Sequence, residues 1–534
     1  LTAVATGALN IRWGADNADS DLGGNGDRSV AFTATNNTPA VVVSGAHGAT
    51  LTSLGLAVTM TVLSNGVLVG YTGATAPTAI NGANVVFHAA LSDDNSGAYT
   101  FTLVKPLDHA AGDGANGENN LSLTFGYTAK DSDGDSVTGS FTVDVKDDVA
   151  EIRTPFAGGV VEEEQAQVAG DGNEDGNGSG DDDELFNSGR TTHQAGGTLA
   201  ISWGSDKAND GNGQPGDRSV QFGPAATANL AALNLTSDGD AIKYTTLTVS
   251  GQQILLAYTG ATAPTAVPAN SAAALAASIV FSVVLSDGGN GSYAFTLYDT
   301  LDHRGSVQGE DSQILTFQFT ATDSDGDTTP PASFSVSVID DKPVAFGTLL
   351  TRFVEEEELS GGNEDTTSGP SGADLDGILG NLTGKSAGGP LNIFWGGDDG
   401  NKNINGGYTG SQVAGDLSVV FADGTGSARA LTAMQAGELL SISGGAGAVA
   451  LGALTSAGHP VTFSLSANGT VLTASADGQT VFTVTLSDTG SGSYEFNLTG
   501  VLDHPVKASG ASNEDVLSFT FTFTARDGDG DIVK

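Results

Sequence analysis

Three short acidic runs carry the most readily usable chemistry in this chain. Asp131, Asp133 and Asp135 alternate along a DxDGD turn, and the pattern recurs at Asp323, Asp325 and Asp327 and at Asp527, Asp529 and Asp531. Calcium takes about six to eight hard oxygen ligands, and alternating Asp on a tight turn aims several at one point. Glycine at the fourth place instead of the sixth, and Thr142 at the twelfth position from Asp131, exclude an EF-hand. The alternative is an ordinary Asp-Gly hairpin turn with solvated carboxylates. Three copies, each crowding three like charges, favour a bound divalent cation, Ca2+.

A second acidic set lies at the junctions between these motifs. Asp147 and Asp148 follow one DxDGD turn by a strand, and Asp340 and Asp341 follow the next. Glu162, Glu163 and Glu164 come after the first pair, and Glu355, Glu356, Glu357 and Glu358 after the second. Carboxylates at a linker and at adjacent turns can share ions and lock neighbouring domains together; the rival is a solvated, charge-stiffened linker. Acidic residues after each Trp (Asp16, Asp19, Asp21; Asp206, Asp210; Asp398, Asp399) are weaker candidates, because their spacings differ between copies. The dense acidic stretch 171–184 reads as a self-repelling loop unless cations order it.

Catalytic readings fare worse. Asp108–His109, Asp302–His303 and Asp503–His504 form a recurrent LDH motif, but sequence neighbours on a strand face opposite ways, and no Gly-x-Ser-x-Gly elbow accompanies them. A structural loop role is expected, and the chain is read as no enzyme. Glu118, Glu310 and Glu514 follow as further candidate ligands. Trp13, Trp203 and Trp395 are expected in the core, with sugar stacking as the functional rival.

These residues repeat because the chain does. LNIRWG from Leu9, LAISWG from Leu199 and LNIFWG from Leu391 share one frame, and the LDH and DxDGD motifs follow each at offsets of roughly 190–200 residues. Stretches such as TFGYTAK, SFTVDVK and FSVSVI alternate apolar and polar residues and are punctuated by Gly, Asn and Asp, which signals strands and turns. Only SAAALAAS from Ser271 and LTAMQAGELL from Leu431 suggest short helices. The expected fold is all-β: tandem antiparallel β-sandwiches, immunoglobulin- or cadherin-like, in units 1–150, 151–345 and 346–534. Each unit exceeds one seven-stranded sandwich, so extra strands or a small second lobe are expected. Repeats out of phase with the chain ends read as a window of a longer array, or as a polymerising subunit completed by a neighbour's strand.

Composition bounds the partners. With 63 acidic against 19 basic residues, the formal charge of the 534-residue chain is −44. That balance excludes nucleic acid as a general partner, and no apolar run is long enough to span a bilayer. Cysteine is absent, which excludes disulfides and thiolate sites. A fold that keeps this charge compact must tolerate repulsion or bind cations.

The T-A-x-D-x-D-G-D turn, the S-F-x-V-x-V strand, the I-D-D-x-P-V junction and the VEEE segment together resemble repeats of giant type I-secreted bacterial adhesins. These are the RTX-type adhesins and biofilm-associated relatives with cadherin- or immunoglobulin-like and VCBS-like domains. The resemblance implies a calcium-stiffened array at the bacterial surface or in extracellular matrix, with Asp131, Asp133, Asp135, Asp323, Asp325, Asp327, Asp340 and Asp341 as ligands. Asp147–Asp148 departs from it, being followed by Val-Ala-Glu, and the third unit is expected to have an incomplete site. The expected role is a calcium-stiffened adhesive spacer or fibre segment. Its expected partners are neighbouring repeats of the same or another chain and, outwardly, surface glycans or matrix. The rival class is a secreted carbohydrate-binding or carbohydrate-active protein.

Overall fold

The computed structural model describes residues 3–20, 26–46, 49–110, 119–153, 158–163, 193–209, 217–303, 311–340, 342–345, 352–360, 385–404, 407–408, 413–444, 447–504 and 516–534. Almost all regular structure is β, in several sheets. In the first repeat a six-stranded sheet runs in the order Val4–Ala8, Ala98–Leu103, Val85–Ser92, Leu68–Thr72, Leu56–Val62, Thr52–Ser53. Facing it, an inner strand, Asn120–Lys130, lies between a closing strand, Ser136–Lys146, and the two short strands Ser29–Phe32 and Val41–Ser44. The inner strand alternates buried and partly exposed residues along its length, as a half-buried strand with period two must.

The second repeat reuses this plan with inner strand Ser312–Thr322 and closing strand Ala332–Ile339. One strand breaks the antiparallel expectation: Gly159–Glu162 pairs parallel with the closing strand. In the third repeat the inner strand is split into Leu517–Phe521 and Thr524–Arg526, and the closing position is represented by Ile532–Val533. Both anticipated helices form, Ser271–Ala276 and Ala433–Leu439, the latter with a Thr432/Gln435 capping box. A third short helix, Ala226–Ala231, packs beside the inner strand of the second repeat. A satellite cluster of Ile254, Leu256, Tyr258, Ala274, Ile279 and Tyr298 accounts for part of the extra mass of that repeat.

Each core is closed by aromatic rings from the two facing sheets. Phe87 meets Phe125 at 6.3 Å, Phe281 meets Phe317 at 6.2 Å, and Phe482 meets Phe519 at 5.2 Å between ring centroids. Burial of such rings dominates the free energy of a small sandwich. The Trp frame feeds the same cores. Leu199, Ile201 and Trp203 are buried, as are Ile393 and Trp395, while Trp13 is half-buried. All three indole N–H groups donate to a backbone carbonyl, of Asn95, Gly289 and Gly490.

Those carbonyls belong to tight turns whose last glycine is sterically fixed. Gly291 has φ +73°, and a Cβ there would lie 2.4 Å from Ile201 Cδ1; Gly97 and Gly492 make the same approach to Ile11 and Ile393. Gly291→Ala therefore carries both backbone strain and overpacking and should cost about 1–3 kcal/mol. Chemical denaturation followed by intrinsic fluorescence measures it, and a neutral result contradicts the packing described.

Candidate metal centres between the repeats

The hairpin of inner and closing strands separates its two acidic ends. Ser136–Lys146 has 11 residues, so the Asp131–Asp135 turn and the Asp147–Asp148 pair lie about 36 Å apart along it. The junction pair therefore cannot serve its own repeat's turn. It meets the turn of the next repeat instead.

At the first junction Asp147 and Asp148 converge with Asp206, Asp323, Asp325, Asp327 and His109. Three subsets, His109–Asp147–Asp325, Asp147–Asp148–Asp206 and Asp323–Asp325–Asp327, each bring one ligand atom per residue within 4.8 Å of the others. Backbone amides hold the carboxylates in place. His109 N–H donates to Asp325 Oδ2 at 3.1 Å, and Ala150 N–H to Asp323 Oδ2 at 3.1 Å, so the first repeat grips the turn of the second. Within the turn, Asp327 N–H donates to Asp323 Oδ1 at 2.8 Å. Ser205 N–H donates to Asp148, whose approach requires Gly204: a Cβ at that φ of +68° would lie 2.5 Å from Asp148 Oδ2.

The second junction repeats the arrangement with Asp340, Asp398, Asp527, Asp529, Asp531 and His303. His303 N–H donates to Asp529 Oδ2 at 3.0 Å, as His109 does to Asp325, and Thr300 Oγ1 donates to Asp398 at 3.1 Å. Glu163 joins this end, grouped with His303 and Asp340. It accepts from Leu301 N–H at 2.9 Å and lies 3.1 Å from His303 Nε2. Burial drives Glu163 up, and its charge holds His303 up against His303's own burial. Glu356 occupies the matching place in the third repeat, accepting from Leu502 N–H and facing His504. Glu162 is buried and Glu355 half-buried beside these clasps.

Other expected residues are placed differently. Asp131, Asp133 and Asp135 form a group of the same shape but stand partly or fully exposed. The third turn sits in the second junction with Asp527 and Asp531 buried, because junction and turn come from different repeats. Asp206 and Asp398 are buried in the two junctions, and with Asp16 they share a constant Trp-Gly-x-Asp spacing; only the later acids vary. The LDH pairs lie in loops and not in strands, and their two side chains take separate partners. Asp108 accepts from Leu54 and Gly55 N–H, while His109 faces the junction. Asp21, Asp210, Asp341, Glu118, Glu164, Glu310, Glu514 and the stretch 171–184 lie outside the described residues.

These junctions are electrostatically unfinished as bare protein. Asp147 Oδ2, Asp206 Oδ1 and Asp325 Oδ1 are buried without a hydrogen-bond donor, as are Glu163 Oε2, Asp529 Oδ1 and Asp531 Oδ2. Burial, compounded by neighbouring carboxylates, pushes Asp147 and Asp323 up to about 9, Asp206 to about 8 and Asp531 to about 7. A buried carboxylate oxygen with no donor is costly unless a proton or cation supplies the missing positive charge. The donor set is hard oxygen from several carboxylates, which suits a divalent cation of the calcium or magnesium class.

No protein-family model matches the chain, and no curated protein matches it. Among solved structures, a protocadherin gammaB7 EC3-6 cis-dimer structure aligns over 89% of this chain and 75% of that one, at 12% identity and a TM-score of 0.17. An overlap that loose leaves the site to be read from its own residues.

The sign of the pH dependence follows. Folded pKa values raised above the unfolded carboxylate range contribute stability that is complete below about pH 4 and is lost as pH rises through 7 to 9. In chelator the melting temperature should fall as pH is raised from 5 to 9, and Asp147→Asn with Asp325→Asn should flatten that fall. A slope unaltered by the double substitution would show that the junction carboxylates do not cause it.

Proposed function

We propose that the chain is a structural, non-catalytic module of the extracellular space, a spacer or fibre segment whose repeats are locked end to end by calcium. The observation that carries this reading is the first junction. Carboxylates from one repeat, Asp147 and Asp148, and from the next, Asp206, Asp323, Asp325 and Asp327, converge there in a buried cluster with donor-less oxygens. A cation binding there neutralises both sides at once and couples the orientations of the two repeats. Calcium suits the site better than magnesium, which demands fewer ligands in a stricter octahedron.

The absence of cysteine agrees with an architecture stapled by ions. The resemblance to secreted bacterial adhesin repeats, carried by the DxDGD turn and the Ile-Asp-Asp-Lys-Pro-Val junction, supports a bacterial surface or matrix setting. Among the described residues no helix is long and apolar enough to cross a membrane. The sugar-binding rival is weakened by the indoles, which fill the cores and spend their N–H groups on backbone carbonyls.

Isothermal titration of the calcium-free chain with calcium, paired with melting and small-angle scattering, tests the reading. Calcium at about 100 times its dissociation constant should add about 2.7 kcal/mol per site and reduce the spread of conformations in solution. Asp147→Asn with Asp325→Asn should remove the first junction's share and leave the second. If chelator changes neither melting nor scattering, the cation-locked spacer is wrong.

A further inference from the structure

One side chain in the first junction has no use in a calcium site. His109 is 2% exposed and stands among the acids of both repeats, grouped with Asp147 and Asp325. Its ring Nε2 lies 3.1 Å from the carbonyl oxygen of Val145. A carbonyl only accepts, so Nε2 carries the proton of this contact, and the neutral ring keeps its lone pair on Nδ1. That nitrogen is buried without a hydrogen-bond partner, 3.2 Å from Asp147 Oδ1.

The two carboxylates beside it are unspent as well. Asp147 is 5% exposed, and neither of its oxygens has a hydrogen-bond partner. Asp325 gives Oδ2 to the backbone N–H of His109 and keeps Oδ1 buried without one. A nitrogen and carboxylate oxygens thus gather with water largely excluded. Two ligand atoms bonded at about 2.0–2.1 Å in a tetrahedron stand about 3.3 Å apart, close to the separation of His109 Nδ1 and Asp147 Oδ1. Val145 completes the pattern, because a metal-bound His gives its other ring N–H to a carbonyl or carboxylate that fixes its orientation. The second junction differs here: Nε2 of His303 lies 3.1 Å from Glu163 Oε1 in place of a carbonyl.

We infer that the first junction holds, beside its calcium position, a separate site for a first-row transition cation of the zinc class, with His109 Nδ1, Asp147 and Asp325 as ligands. Calcium takes oxygen donors and would leave the imidazole idle, whereas imidazole suits zinc. Asp147 belongs also to the Asp147–Asp148–Asp206 group, so its two oxygens can serve one ion each. The zinc-class ion would join His109 and Asp147 of one repeat to Asp325 of the next. The inference rests on reading this junction as a cation site and adds a second metal of different chemistry.

The test titrates the full, calcium-saturated chain with Co2+ as a coloured stand-in for zinc. A visible absorption band that saturates, and that Zn2+ then abolishes, is expected. His109→Gln should weaken Co2+ binding by more than about 10-fold, while calcium still raises the melting temperature as it does in the unaltered chain. X-ray absorption of the zinc-loaded, unaltered chain should show imidazole scattering, a readout that needs no variant. A missing band, a band that His109→Gln leaves unchanged, or bound zinc without an imidazole ligand would each overturn the inference and leave the calcium lock standing. A His109-dependent cobalt band in a chain whose melting ignores calcium would support the inference and overturn the calcium lock instead.

Discussion

The structure depends on the cost of burying like charges against one another. Carboxylates at each junction come from two repeats and meet where water is largely excluded, so their mutual repulsion is weakly screened. A bare junction has two remedies: take up protons, as the raised values of Asp147, Asp206 and Asp323 describe, or move apart. A divalent cation offers a third that keeps the repeats together at neutral pH. The formal charge of −44 makes that repulsion a property of the whole chain and not of the junctions alone.

Position follows from the sandwich. A long hairpin of inner and closing strands puts a tight acidic turn at one end of a repeat and an acidic pair at the other. Stacked in sequence, such repeats bring pair against turn without any special linker chemistry. The Trp-Gly-x-Asp loop of one repeat and the LDH loop of the other meet at the same place, where Thr300 Oγ1 donates to Asp398. Asp108 and Asp302 secure their loop by accepting backbone N–H groups of the neighbouring turn, which leaves His109 and His303 to present their own N–H groups to the incoming Asp.

Much of this was legible in the sequence because repetition marks it. The DxDGD turns, the junction pairs, the Trp frames and the alternating strands each recur three times or twice, and their local forms are dictated by short-range chemistry. What was not legible depends on distance. Nothing local tells that Asp147 meets Asp325 and not Asp133; only the length of the intervening strand does. Asp206 and Asp398 share a constant Trp-Gly-x-Asp spacing that the variable acids beyond them obscure. The helix Ala226–Ala231 has no counterpart in the first repeat, and among the described residues the closing strand there has no parallel partner to match Gly159–Glu162, so the first repeat gives no template for either.

The second repeat also shows how load could pass between junctions. Its closing strand, Ala332–Ile339, leads from the turn at the first junction to Asp340 at the second, and it is paired on both sides: antiparallel to Ser312–Thr322 and parallel to Gly159–Glu162. Tension applied at Asp325 and Asp340 is carried by the continuous backbone of this one strand, which its partners on both sides hold extended. The Glu163 clasp extends that ladder to the LDH loop, since Glu163 directly follows the parallel strand, accepts from Leu301 N–H and contacts His303. His303 in turn holds Asp529 of the next repeat through its own N–H. The two junctions are therefore joined by one continuous strand, its ladder of backbone hydrogen bonds and a buried Glu–His contact.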